Sequence, residues 1–139
     1  MIRPFPPLNF TVPDVTPGPP VHYGQLLRVG TYTAEIDSRR AQLPLEEYGK
    51  SDLLAVRHLS DSLASDEDGG RMGWTQFTTR EQVGSALGLS EQGGIGVFRR
   101  LEMRGVVLQQ ETWRLGPHTI RIRFRVNLHH PAFQNSLNP

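Results

Sequence analysis

Arginines recur at alternate positions near the C-terminal end of the chain, where Arg121, Arg123 and Arg125 separate Ile120, Ile122, Phe124 and Val126. Because side chains along a strand alternate between its two sides, the apolar residues are predicted on the core and the arginines on the opposite, solvent-facing side. Arg114 is expected beside them on the preceding strand of a hairpin over residues 107–128, with His118 near its tip. Glu111 is the one acidic residue in these strands, so a phosphate backbone is the natural counter-charge. The alternative is a charged exterior that keeps a two-stranded ribbon soluble.

A helix, a tight turn and a second helix are predicted before this ribbon. Thr79 can accept a hydrogen bond from the third backbone N–H of the first helix while Gln82 reaches back to it, which is a capping box. Gly88 takes a positive φ cheaply where the first helix must turn, and Ser90 is a good cap for a second helix over residues 90–104. Apolar residues at helical spacing line the inner side of this second helix: Gly94, Val97, Phe98 and Leu101.

Two spaced patterns carry a family resemblance: Thr79-x-x-x-Val83-x-x-x-Leu87-Gly88-Leu89-Ser90, then Phe98-x-x-Leu101-Glu102-x-x-Gly105-Val106-Val107. Together they resemble the winged helix-turn-helix domains of prokaryotic transcription regulators and of phage or plasmid replication proteins. The likeness covers residues 52–126. It implies an α+β fold with a winged helix-turn-helix over residues 45–128, made of three helices and a β-hairpin wing. It also implies non-catalytic binding of double-stranded DNA, in transcription regulation or as a replication or partition accessory factor.

In such a domain the second helix reads bases and the wing grips phosphates. Gln92 is expected to pair with adenine, Arg99 with guanine, and Ile95 to touch a thymine methyl group. The outward side of the helix also holds Glu91 and Gly96, with Arg100 at its border. The complete set of predicted DNA contacts is Thr79, Arg80, Ser90, Gln92, Ile95, Arg99, Arg100, Arg114, His118, Arg121, Arg123 and Arg125.

The second helix departs from the family pattern, since Gly93, Gly94 and Gly96 stand where good helix formers are usual. Each glycine costs a helix up to about 1 kcal/mol relative to alanine. These glycines indicate either close approach of a backbone or a helix that does not read bases. Together with an exposed Ile95 they favour an alternative function, a protein–protein interaction adaptor in a phage or plasmid assembly.

A third helix, which precedes these two in the chain, is predicted between residues 45 and 64. Its apolar side holds Leu53, Val56, Leu59 and Leu63, at helical spacing. An acidic loop follows, and then Trp74 and Phe77 flank a short extended piece. In the family that the chain resembles, this piece is a minimal strand added to the hairpin, so both rings are expected in the core.

The N-terminal region is predicted to be an extended arm, because residues 1–20 hold seven of the eleven prolines. Apolar side chains between these prolines (Phe5, Leu8, Phe10 and Val12) suggest that the arm packs on a protein partner, and a homodimer is expected; a disordered tail is the alternative. Residues 21–44 are predicted as an extension with one strand or a bent pair, and residues 129–139 as a C-terminal tail.

Charge is distributed unevenly. Residues 1–70 hold six basic and ten acidic side chains, a net −4, whereas residues 71–139 hold nine arginines and four glutamates, a net +5. The positive half is the half that resembles a DNA reader. Arginine suits planar contacts to phosphate and guanine, although a high genomic G+C content would give the same bias.

Several classes of function have no support in the sequence. The chain lacks a phosphate-cradling glycine loop with its lysine, and no nucleophile stands in a recognisable catalytic pattern, so no enzymatic activity and no cofactor are expected. Without cysteine or a nearby carboxylate, His129 and His130 are not expected to bind a metal. No apolar run approaches the roughly 18 residues that span a membrane, and a cytoplasmic location is expected.

Overall fold

The computed structural model describes residues 22–23 and 26–133, with side chains from residue 26 onwards. The predicted arm at residues 1–20 and the last six residues therefore lie outside the described residues. In order, the elements are β1 (His22–Tyr23), β2 (Leu26–Thr33), α1 (Ser38–Ala41), α2 (Lys50–Asp61), α3 (Arg80–Ala86), α4 (Glu91–Met103), β3 (Val107–Leu115) and β4 (Thr119–Val126). Short 3-10 turns span Leu45–Glu47, Asp66–Asp68 and Gly70–Met72. The predicted α+β class is confirmed, and the arrangement is compatible with a winged-helix-like one.

The strands form one antiparallel sheet in the order β1-β2-β3-β4. The hairpin of β3 and β4 was predicted, and residues 21–44 contribute the bent pair of strands that extends it. Beyond β4, the backbone N–H of Thr75 donates to Phe124 O at 2.8 Å, and Ile122 and Thr78 exchange two bonds of 2.8 Å. The extended piece around Trp74 and Phe77 therefore adds to the hairpin as predicted. The hairpin therefore has a hydrogen-bonded neighbour along each of its two outer edges, β2 beside β3 and the extended piece beside β4.

Helix α2 begins at Lys50, later than predicted, because Pro44 is followed by a 3-10 turn. Its buried residues are Asp52, Ala55, Val56 and Leu59. The prediction for Leu53 is wrong: this side chain is 43% exposed. The buried side of the helix includes Asp52 instead, because its carboxylate forms ion pairs with Arg100 and Arg104 of α4.

Helices α3 and α4 meet at a close crossing. The hydroxyl oxygens of Thr79 and Ser90 accept bonds of 3.1 Å from the N–H groups of Gln82 and Gly93, as both caps were predicted to do. The Gln82 side chain contacts Thr78 rather than Thr79. A methyl group placed on Gly94 would lie 3.2 Å from the Cα atom of Gly84. Gly94 therefore serves helix packing, and the buried residues of α4 are the predicted Gly94, Val97, Phe98 and Leu101.

The core joins the helices to one side of the sheet, which we call the helix face. The rings of Phe98 on α4 and Phe124 on β4 stack with centroids 4.6 Å apart. Ile122 and Val126 are buried beside them as predicted, but Ile120 is exposed because it lies beyond the helices, near the hairpin tip. Among the described residues, no helix combines the length and apolar character needed to cross a membrane.

Residues 129–133, predicted as tail, pack into the domain. Phe133 and Ala132 are buried in the core. The ring of His130 is also buried: its Nε2 lies 2.8 Å from Arg104 O, and its Nδ1 accepts from the Ala132 N–H at 3.0 Å. Both bonds are satisfied by a neutral ring with the proton on Nε2. Burial lowers the pKa of His130 to about 4.

Candidate nucleic-acid interface

Two of the three alternating arginines are not on a solvent-facing surface. Arg123 and Arg125 are only 9% and 7% exposed, so their predicted position on the solvent-facing side is wrong. The Arg123 Nε donates to Glu111 Oε1 at 2.7 Å, and its guanidinium lies 4.3 Å from the centre of the Trp74 ring. The Arg125 Nε donates to Met72 O at 3.0 Å. Neither side chain is available to a phosphate.

The cause is a segment that covers the side of the sheet opposite the helices, which we call the back face. Residues 68–72 lie over this face, and the rings of Trp74 and Phe77 from the adjoining edge strand also lie on it, half-buried and outside the core cluster in which they were predicted. Phe77 packs edge-on against Trp113 with centroids 5.3 Å apart. Beneath them, Glu111 accepts hydrogen bonds from Arg28 at 3.0 Å and from the Trp113 indole at 3.0 Å, besides the bond from Arg123. One buried carboxylate therefore neutralises two arginines, one of them from β2.

The sequence held a signal for this cluster. Three aromatic rings (Trp74, Phe77 and Trp113) have their centres within 5.4 Å of the Arg123 guanidinium. One aromatic residue on β3 and two on the preceding segment offer cation–π partners that a phosphate-binding face does not need. Counting charges on the hairpin alone missed these rings and the contribution of Arg28.

The tip of the hairpin keeps the predicted exposure. Arg114 and His118 are exposed, and Arg121 is half-buried with its Nη1 donating to Ile120 O at 3.0 Å. These three side chains are the part of the predicted wing that remains open to a ligand. Arg114 pairs with Ile120 and therefore lies on the opposite face from Arg121, so its predicted position beside the alternating arginines is wrong. The three side chains are spread around the tip rather than aligned in a row.

The outward side of α4 is less exposed than predicted at Ile95. Gln92 and Arg99 are exposed, and Ile95 and Gly96 are half-buried. Arg80, at the start of α3, is exposed and lines the same groove as Arg99. The hydroxyls of Thr79 and Ser90 lie nearby, but each already accepts its helix-capping hydrogen bond. The structure thus brings Arg80, Ile95 and Arg99 together beside an exposed Gln92.

Arg100 makes a contact within the protein that was not predicted. Its Nε and Nη2 donate to Asp52 Oδ1 at 3.0 and 2.9 Å, although its side chain stays 48% exposed. Arg104, one turn further along α4, places Nη1 2.9 Å from Asp52 Oδ2. The buried Asp52 carboxylate therefore ties α4 to α2 through two arginines. Arg100 therefore contributes to helix packing, and its contact with DNA stays a prediction for the exposed part of the side chain.

A groove of about 540 Å³ runs between α4 and the helix face of the sheet. Its floor includes Phe98, Ile122 and Phe124, and Arg80 and Arg99 lie along one wall. Tyr32 from β2 hydrogen-bonds to Glu102 of α4; the negative charge of Glu102 raises the pKa of Tyr32, while burial raises the pKa of Glu102. The groove therefore carries charges of both signs, from Arg80 and Arg99 and from Glu35 and Glu102.

Comparison with protein-family models, curated proteins and solved structures finds no match to this chain. Within residues 22–23 and 26–133, no three His, Asp or Glu side chains are grouped to hold a metal ion.

Proposed function

We propose that the chain is a winged helix-turn-helix protein that binds double-stranded DNA without catalysing a reaction. It would act as a transcription regulator or as a replication or partition accessory factor. The order of elements supports this: a first helix, a short strand, two crossing helices and a hairpin follow one another as in that fold. The observation that carries the proposal is α4 itself, which is buried along one side and presents Gln92, Ile95 and Arg99 on the other.

Contacts to bases and to phosphates would come from different elements. Gln92 and Arg99 have the hydrogen-bonding groups to read adenine and guanine in the major groove. Arg80, Arg114, Arg121 and His118 are the exposed or half-exposed groups that can face phosphates. Because Arg100, Arg123 and Arg125 are bound internally, few counterions would be released. Non-specific affinity is therefore expected to be weak, and binding depends on what α4 reads.

Selection of bound fragments from a random pool of duplex DNA tests the proposal. The wild-type protein should enrich one sequence, and Gln92→Ala or Arg99→Ala should change which base is preferred at one position. Loss of a good contact to a base is worth about 1–3 kcal/mol of discrimination. Glu67→Gln, an exposed change on the acidic 3-10 turn, is the control and should select the wild-type sequence. Failure to bind any duplex at low salt would refute the proposal.

A protein-interaction adaptor is the second candidate, and α2 supports it. Leu53 and Leu54 are adjacent on the outer side of this helix and are both exposed. An apolar pair at such a position is open to a protein partner. If duplex DNA does not bind while Leu53→Lys abolishes capture of a protein partner, the adaptor function is favoured.

A further inference from the structure

Among the residues that the structure describes, the outer edge of β2 is unpaired along most of its length. β3 covers the inner edge, but β1 pairs with the outer edge only at Leu26 and Leu27. Beyond these two positions, none of the segments that the structure describes forms hydrogen bonds to the outer edge. Val29 and Tyr32 on this stretch are 47% and 53% exposed. A row of unpaired backbone groups of this kind is a template for another strand.

This edge has little protection against pairing. Natural edge strands usually carry charged side chains or prolines, which prevent a second strand from docking. Residues 29–34 read Val-Gly-Thr-Tyr-Thr-Ala, without a charge or a proline. The register shift between Arg28 and Gly30 is a feature that can protect an edge, but it lies at the beginning of this stretch, and residues 30–33 keep an unbroken register with β3.

The direction of the backbone groups can be read from the bond between Ala34 N–H and Leu108 O, 2.8 Å long. Ala34 points inward, towards β3. Because antiparallel strands alternate, Thr33 and Thr31 direct their N–H and C=O groups outward. Thr31 lies at the middle of the open stretch, with two residues on either side.

We propose that residues 29–33 pair antiparallel with the same residues of a second copy of this chain, on a two-fold axis at Thr31. Thr31 would then exchange two hydrogen bonds with its own counterpart. Gly30 would lie opposite the second copy's Tyr32, so that each ring covers a glycine, a pairing known to strengthen sheet edges. No like charges meet in this register. The stretch is self-complementary, which a two-fold interface requires.

The chain before β1 is a poor candidate for the same edge. This segment, residues 1–21, joins β1 at His22, next to the unpaired stretch of β2, and is long enough to reach that stretch. However, continuing the β1–β2 register would place Pro20 and Pro19 opposite Val29 and Gly30. Residues 17–20 read Pro-Gly-Pro-Pro, and proline and glycine are the residues most depleted in strands. A second copy, which offers threonines at the bonding positions, fits the edge better.

The two-fold axis has a consequence for α4. Pairing in one continuous sheet keeps corresponding faces on the same side. Tyr32 shares the helix face with Gln110 and Phe124, where α4 also packs. Both α4 helices would therefore lie on one side of the joined sheet, as a two-fold duplex site requires. The interface is separate from the exposed side of α4, so the proposal stands or falls independently of DNA binding.

The molar mass of the full-length chain without DNA tests the proposal, by sedimentation over a range of protein concentrations. A dimer is expected, and Thr31→Pro should raise its dissociation constant about tenfold or more because an outward N–H is lost. The far-UV circular dichroism should be unchanged, since that N–H has no partner among the described residues of the monomer. A wild-type monomer, or a dimer that Thr31→Pro leaves intact, would overturn the proposal.

Cross-linking gives a second measurement that does not depend on the proline variant folding. The chain contains no cysteine, so Thr31→Cys introduces a single thiol at the proposed axis. A short bifunctional thiol reagent should link two copies through this position. Ile120→Cys, at an exposed position on β4, is the matched control and should stay monomeric on the gel. If Phe5→Ala with Phe10→Ala abolishes the dimer whereas Thr31→Pro does not, the N-terminal arm carries association and the proposed edge is wrong.

Discussion

Two groups of arginines show how differently one residue type is used in this chain. Arg123 and Arg125, on the back face of the sheet, are bound by a carboxylate, a carbonyl oxygen and aromatic rings. Arg99 and Arg114, on α4 and at the hairpin tip, remain exposed. Residues 68–77 account for the difference, because they cover one face of the hairpin and leave the tip open. An alternating row of charges therefore indicates an exposed face only when no other segment packs on it.

The largest effect is expected from the buried charge cluster. Glu111→Gln should lower the free energy of unfolding by about 3–5 kcal/mol, because Arg28 and Arg123 would stay buried without their counter-charge. Urea denaturation measures this loss. Glu67→Gln, an exposed change, should alter stability by less than about 0.5 kcal/mol. A loss below about 1 kcal/mol for Glu111→Gln would mean that the cluster is open to water and that the contrast between the two arginine groups is wrong.

Protonation of the buried His130 should destabilise the fold as the pH falls. The folded-state pKa of His130 is about 4, below the ordinary 6.5, so its neutral ring stabilises the fold fully above pH 6.5. Below that pH the unfolded chain binds the proton first, and about 3 kcal/mol should be lost as the pH falls from 6.5 towards 4.

Comparing variants isolates this effect from the titration of carboxylates. His130→Asn keeps an acceptor for the Ala132 N–H but cannot be protonated, so its stability should fall less steeply with pH than that of the wild type. Parallel curves for His130→Asn and the wild type would exclude His130 as the cause.

Two glycines of α4, Gly94 and Gly96, differ in the space around them in the way that the two arginine groups differ in exposure. A methyl group on Gly96 would meet no other atom within 4 Å, whereas one on Gly94 would crowd Gly84. Gly96→Ala should therefore stabilise the fold by up to about 1 kcal/mol, and Gly94→Ala should destabilise it. If DNA approaches α4 closely at Gly96, the stabilised variant should bind the selected duplex more weakly. Unchanged affinity would place the contact elsewhere on the helix.

The smallest expected effect belongs to the exposed arginines. Arg114→Ala or Arg121→Ala should each flatten the plot of log K against log salt by about one, with little change in sequence preference. Their effect on stability should be within about 0.5 kcal/mol, since neither forms an ion pair among the described residues. An unchanged slope would show that the hairpin tip does not contact phosphates.

Local features of this chain were predictable because they depend on neighbouring residues. The caps at Thr79 and Ser90, the turn at Gly88 and the buried side of α4 follow from hydrogen-bonding groups and apolar spacing within a few residues. The hairpin and its extra strand at residues 73–78 were equally readable. The class of the fold was therefore determined by the sequence pattern alone.

Whether each charged side chain is buried or exposed was decided by the tertiary structure. Whether Arg123, Arg125 and Arg100 face water depends on segments that lie tens of residues away in the chain, at residues 68–77 and in α2. Likewise, residues 129–133 read as part of a C-terminal tail until their contacts with the core are known. Period and composition assign a side chain to one face of an element. Only the packed structure determines what covers that face, because the cost of burying a charge is offset by partners distant in sequence.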